Sequence, residues 1–216
     1  MPRRKRQHLA EFNTLPLVID SSPETTKSLP GTWGARFENK QALLLELGCG
    51  KGDFAVQLGT LQRSVNIVGI DKKGDRLWHG ATNALQAGLV NVRFCRLPIE
   101  RAQEYFAPGE VDEIWITFPD PFPRKKEAKK RLVSPQFQAI YRQIVRPGGI
   151  IHLKTDNEGL YAYALTVLAD TPCTIHYQTA DVHENPISAT VSLLTTFERK
   201  YLARGKKIHY VSWSFT

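Results

Sequence analysis

Four polar clusters in the chain have residue types and spacing that could do chemistry. The first is Glu46 followed by Gly48-Cys49-Gly50-Lys51-Gly52, with Asp71 lying 21 residues after Gly50. Glycines at alternate positions let the backbone turn sharply and lie close to a ligand, since no side chain intervenes. A dinucleotide-binding fingerprint needs GxGxxG, and its third glycine would fall at position 53, which is Asp53. An aspartate at the start of the following helix opposes a pyrophosphate there. S-adenosylmethionine (SAM) has no phosphate, and its amino group and sulfonium are cationic, which suits Glu46. Asp71 closes a second apolar run, where a carboxylate can accept from both ribose hydroxyls. The expected cofactor is therefore SAM, held by Glu46, Gly48, Gly50, Gly52 and Asp71. The histidines do not cluster and there is no HxxxH or His/Cys set, so no metal is expected.

The second cluster is Phe118-Pro119-Asp120-Pro121-Phe122-Pro123. Three prolines fix φ and restrict the residues before them, so the loop is expected to be stiff. It would hold Asp120 between aromatic rings on which a planar base can stack. The carboxylate could accept hydrogen bonds from the ring N–H and amino group of guanine. Directly after comes Arg124-Lys125-Lys126-Glu127-Ala128-Lys129-Lys130-Arg131, with six basic residues and one acid. Such a run neutralises phosphates and gives salt-sensitive binding. The remaining two clusters are Thr155-Asp156 and Thr195-Thr196-Phe197-Glu198. The latter also reads as the capping signature of a helix start.

The first three of these clusters sit at the ends of short apolar runs. Runs at 42–47, 65–71, 91–95, 111–118 and 150–154 read as strands, with late candidates at 175–179 and 207–213. Helical spacing covers 54–61, 75–85, 135–145 and 160–168, with Ser134 as N-cap and Pro147-Gly148-Gly149 as a turn. The alternation argues for an α/β fold, a mostly parallel doubly wound sheet with helices on both faces. In such sheets ligands bind beyond the carboxyl ends of the strands, where Glu46 with the glycine loop, Asp71, Asp120 and Thr155-Asp156 fall and can converge on one crevice. The tryptophans Trp33, Trp78, Trp115 and Trp213 read as core rather than as base platforms.

Residues 42–75 resemble the class I SAM-dependent methyltransferases, which carry ExGxGxG and a strand-end acid. FPDPFPRKKEAKKRL resembles the signature of the bacterial tRNA (guanine-N7-)-methyltransferases. Leu153-Lys154-Thr155-Asp156 and Thr195-Thr196-Phe197-Glu198-Arg199-Lys200 with Gly205 are similar to that family's later motifs. The resemblance implies a Rossmann-like fold with an antiparallel last strand, and methyl transfer from SAM to N7 of a guanine in the variable loop of tRNA. By position, Asp120 would be the catalytic residue and lie beside SAM. Arg124, Asp156, Thr195, Thr196, Phe197 and Glu198 would contact the substrate, and Lys125, Lys126, Lys129, Lys130 and Arg131 would touch RNA. Two positions depart from the family pattern. Phe122 stands where Trp is usual, keeping the stacking surface and losing the indole N–H. Leu97-Pro98 stands where an acid or amide near the adenine is usual, which leaves that contact unassigned.

Composition agrees with a polyanionic partner. Lys plus Arg number 29 against 21 Asp plus Glu, a net charge of +8. Three dispersed cysteines argue against a disulfide framework and for a reducing, cytoplasmic setting. No apolar run is long enough for a membrane span. Residues 1–35, with Arg3, Arg4, Lys5 and Arg6 followed by a Ser/Pro/Thr-rich stretch, read as a flexible basic arm. Residues 36–216 read as one methyltransferase domain, as monomer or homodimer. The competing readings are a methyltransferase with another target and a non-catalytic RNA-binding protein on a degenerate methyltransferase fold. The intact acids and glycines weigh against the latter, and the glycine spacing against a nicotinamide-dependent oxidoreductase.

Overall fold

In the computed structural model, which describes residues 3–19, 21–184 and 187–216, eight strands form one sheet. In chain order the elements are α1 (Arg3–Phe12), β1 (Val18–Ile19), α2 (Pro23–Lys27), α3 (Trp33–Arg36), β2 (Leu43–Leu47), α4 (Asp53–Leu61), β3 (Asn66–Ile70) and α5 (Gly74–Gln86). They continue with β4 (Val92–Cys95), β5 (Val111–Thr117), α6 (Pro135–Ile144), β6 (Val145–Thr155), α7 (Glu158–Ala169), β7 (Cys173–Thr179), α8 (Thr196–Leu202) and β8 (His209–Phe215). The sheet order is β1-β4-β3-β2-β5-β6-β8-β7. Every pair from β1 to β6 is parallel, and β8 runs antiparallel to both β6 and β7. The expected doubly wound sheet with an antiparallel last strand is therefore present.

Alternation along β2 explains how the first acid is aimed. All five residues of β2 are buried, as in a central parallel strand covered on both faces. Leu43, Leu45 and Leu47 face a core with Val68, Ile70, Ile114 and Phe137. Leu44 packs on the other face with Phe54, Ala55 and Phe94. The period of two puts Glu46 on that second face, beneath the start of α4. Trp33, Trp115 and Trp213 are fully buried, as expected, while Trp78 is partly exposed.

Three local features differ from expectation. Residues 3–36 are not featureless: α1 packs on α5, and β1 extends the sheet through Val18 opposite Phe94 and Ile19 opposite Cys95. Polar composition concealed this, because the packing rests on scattered residues such as Leu9, Phe12, Leu17, Leu29 and Trp33. Pro147-Gly148-Gly149 lies inside β6, whose pairing with β5 shifts register near Asp112. There a Cβ on Gly149 would come 2.7 Å from the Asp112 carbonyl oxygen. Ser134 occupies the N-cap position of α6, but its hydroxyl donates to the Lys129 carbonyl at 3.1 Å instead of capping the helix.

Candidate active site

The carboxyl ends of β2, β3, β5 and β6 open onto one cavity of about 720 Å³. Glu46, Gly48, Gly50, Asp71, Thr117, Phe118, Asp120, Phe122, Lys130, Asp156, Thr195, Phe197 and Tyr201 all line it. Three of the four polar clusters thus converge through their key side chains, and the fourth does so through Thr195 and Phe197.

On the glycine-loop side the acids are buried and already hydrogen-bonded. Glu46 accepts from the Thr117 hydroxyl at 2.7 Å and from the Ala55 backbone N–H, in the first turn of α4, at 3.0 Å. Burial pushes its carboxyl up to about 8, against the lowering effect of those two donors. Asp71 accepts from the Gly50 N–H at 3.0 Å and from the Lys73 N–H at 2.9 Å, so it pins the glycine loop as well as facing the cavity. A Cβ on Gly50 would meet nothing within 4 Å, which leaves its backbone open to a ligand. Gly52 differs. It does not line the cavity, and a Cβ there would lie 2.5 Å from the Phe94 ring. With Gly69 and Gly80 it forms a slot for that ring, so its expected ligand contact gives way to close helix–strand packing.

On the opposite side Asp120 is exposed and makes no hydrogen bond to any described residue. Its loop is strained. Phe118 and Phe122 both have left-handed φ, +48° and +41°, although each precedes a proline. Strain of this kind persists only where the surroundings over-determine it. Phe118 N–H donates to the Lys154 carbonyl at 2.8 Å. Arg131 donates from Nε to the Pro121 carbonyl and from Nη2 to the Phe122 carbonyl, both at 3.0 Å. Its guanidinium also stacks over the Tyr163 ring at 4.3 Å. Arg131 was expected to touch RNA; its donors are instead committed to the loop that carries Asp120.

The rest of the basic run forms a 3-10 helix, Lys125–Lys130, beside the cavity. Arg124, Lys125, Lys126 and Lys129 are exposed and lie outside the cavity lining. Arg124 therefore stands with the external ridge rather than with the groups facing a bound base. Lys130 reaches the cavity and pairs with Glu127 at 3.1 Å.

Asp156 faces the cavity from the end of β6 and is paired with Lys206, whose ammonium lies 4.7 Å from the Tyr201 ring centre. The stretch 195–198 divides. Thr195 caps α8 by accepting from the Glu198 N–H at 3.1 Å, and half-exposed Phe197 lines the cavity mouth. Thr196 N–H donates to Asp53 at 3.1 Å and ties α8 to α4. Glu198 is wholly buried and absent from the lining, which corrects its expected substrate contact. Its carboxylate lies 2.8 Å from the Lys154 ammonium and 2.9 Å from His183 Nε2. Lys154 also donates to the carbonyls of Val191 at 2.7 Å and Leu193 at 3.1 Å. Burial pushes the Lys154 ammonium down and the Glu198 carboxylate opposes this. A capping box would turn Glu198 back onto its own helix; here the buried cation draws it inward, and the pair anchors the segment that carries Thr195 and Phe197.

Thr117, Lys154, Tyr201 and the clamp by Arg131 were missed by sequence reasoning. A signal existed for Lys154 alone. A lysine in an apolar strand is almost never fully buried without a partner.

The family described as "Putative methyltransferase" matches residues 40–211. A tRNA (guanine-N(7)-)-methyltransferase of Cytophaga hutchinsonii is 37% identical over 218 residues, covering 100% of this chain and 99% of its own length. One of Christiangramia forsetii is 42% identical over 212 residues, covering 97% and 95%. The chain belongs to the tRNA (guanine-N(7)-)-methyltransferase family. Among solved structures, the 16S rRNA methyltransferase KamB superposes with a TM-score of 0.61 at 14% identity, covering 91% of this chain and 94% of that one. A 16S rRNA (adenine(1408)-N(1))-methyltransferase from Catenulisporales acidiphilia, solved with its cosubstrate SAM, gives 0.55 at 14% identity over 90% of each chain. At that identity the likeness shows a shared fold: this chain is built on the same kind of sheet as those two methyltransferases.

Proposed function

We propose that this enzyme transfers the methyl group of SAM to N7 of a guanine in the variable loop of tRNA. The observation that carries this is the pairing within one cavity of a glycine-loop wall with buried acids and a strained proline loop that presents an exposed Asp120 beside a basic ridge.

The residues fit SAM. Glu46 is a buried carboxylate facing the cavity, which a cationic ligand would favour in its charged form. The open face of Gly50 and the carboxylate of Asp71 would receive the methionine and ribose portions. Leu97, Ile99 and Glu100 line the adjoining wall, and the two apolar side chains would lie against the adenine. When bound, SAM supplies an electrophilic methyl group on its sulfonium.

Guanine N7 has a free lone pair and no proton, so no group of the protein need act as a base. Displacement in line with the sulfonium leaves positive charge on the guanine. Catalysis then rests on positioning and on a carboxylate matched to that charge. Asp120 accepts from the Watson–Crick edge and stabilises the cationic base, between Phe118 and Phe122. Asp156, held by Lys206, bounds the same space. The ridge Lys125, Lys126, Lys129 and Lys130 contacts phosphates.

Incubation of the protein with labelled SAM and unmodified tRNA, followed by chemical cleavage at N7-methylguanosine, tests the reading. The expected product is cleavage at one position in the variable loop. Label in rRNA alone, label in tRNA at another atom, or no label would each reject it.

A further inference from the structure

We propose that α1 is a preformed docking face for the RNA phosphate backbone, placed on the cavity rim opposite the Lys125–Lys130 ridge. The proposal rests on the tRNA reading above and adds a second basic surface to it.

One side of α1 is anchored. Phe12 is 1% exposed, and the His8 ring stacks on Trp78 with centroids 3.9 Å apart and planes 4° from parallel. Leu9 and Phe12 close over Gly74 at the start of α5, where a Cβ would come 2.8 Å and 3.3 Å from their methyl and ring carbons. Strand β1 then stitches the following residues to the sheet. Such a short, polar helix would not persist unpacked. These contacts therefore hold the basic head in place.

The other side is cationic. Arg3, Arg4 and Arg6 are exposed and have no acidic partner among the described residues. Lys5 lies 3.6 Å from Asp75 in the first turn of α5. Immediately beside that turn, Lys72, Lys73 and Arg76 line the cavity. Helix α1 thus continues a basic rim that begins inside the site.

Strand order fixes the relation of this rim to the ridge. Strands β3 and β5 flank β2 on either side. Lys72 and Lys73 follow β3, and Lys125–Lys130 follows β5, so the two basic surfaces lie on opposite sides of the cavity. A backbone crossing from one to the other would present a splayed base to Asp120. A face already formed also avoids the ordering cost that a loose tail meets on binding.

The test compares two variants with the wild type in tRNA binding and steady-state methylation across a salt series. Arg3→Ala/Arg4→Ala/Arg6→Ala should raise the tRNA KM roughly ten- to a hundredfold and flatten the log–log salt slope by about two to three. Saturating kcat and SAM affinity should stay at wild-type values. Leu9→Ala/Phe12→Ala keeps every basic residue but releases the helix, and should also raise the tRNA KM. A triple variant with wild-type KM and salt slope would overturn the proposal. So would wild-type KM in the released-helix variant, since the head would then act as a loose tail. A wild-type enzyme that fails to methylate tRNA would instead reject the tRNA reading itself.

Discussion

The two walls of the cavity position their carboxylates in opposite ways. On the glycine-loop wall, Glu46 and Asp71 are buried and held by nearby backbone N–H groups and one hydroxyl. On the facing wall, Asp120 is exposed, and its position comes from the prolines of its own loop plus Arg131 fixing that loop from behind. Farther along the same wall, the buried Lys154–Glu198 pair anchors the segment bearing Thr195 and Phe197. Under the proposed function, the first wall compensates a fixed cationic ligand. The second leaves Asp120 free for a base that must enter and leave, with the supporting cations Arg131 and Lys154 placed outside the cavity. Buried charges on that side are structural, and exposed ones are available for chemistry.

The comparison can be broken first at Lys154. Lys154→Met removes the ammonium from the buried Glu198 carboxylate, leaves it His183 as side-chain partner, and should cost about 3–5 kcal/mol of stability in urea unfolding. The Lys154→Met/Glu198→Gln double variant should recover part of that loss. A single variant as stable as wild type would show that the pair anchors nothing. Arg131→Lys comes next. Lysine keeps the charge but cannot reproduce the two-carbonyl fork, so kcat should fall roughly tenfold through misplacement of Asp120, with tRNA KM little changed. Raised KM at unchanged kcat would instead make Arg131 a phosphate contact.

The smallest effect sharpens the glycine-loop wall. With its carboxyl at about 8 in the free protein, Glu46 is mostly protonated at pH 7. A cationic ligand favours the charged form, so SAM binding at pH 7 should release close to one proton, read by calorimetry in buffers of different ionisation enthalpy. Release should vanish above pH 9 and in Glu46→Gln. The sign for folding is the reverse. A carboxyl raised above its unfolded value favours the protonated folded state, so this group's contribution falls as pH rises from about 4.5 to about 8. Proton uptake on binding, or none in the wild type, would contradict the pairing of Glu46 with the cation.

How far the sequence disclosed the site follows the same division. The glycine-loop wall was legible because its parts are local: an apolar run, three glycines, and an acid 21 residues later, each at a strand end. Even so, the role of Gly52 depended on Phe94, far along the chain, and packing of that kind leaves no local mark. The Asp120 loop was legible in its prolines, but the left-handed φ at Phe118 and Phe122 was not. The supports of the second wall were misread. Arg131 and Glu198 stand in motifs that suggest RNA and substrate, and only the partners brought by folding, Pro121 and Phe122 for one and Lys154 for the other, reveal that their charges are used internally. The N-terminal helix was hidden for another reason: a few apolar residues in a polar stretch suffice when a glycine in α5 receives them.

The most direct measurement is a pair of readings on Asp120→Asn: SAM affinity by calorimetry and the single-turnover rate of tRNA methylation at saturating SAM. The expected result is SAM affinity within about twofold of wild type, with the rate reduced roughly 100- to 1,000-fold by loss of the charge facing the cationic base. A wild-type rate would contradict the role given to Asp120, and an equal loss of SAM affinity would erase the distinction between the two walls.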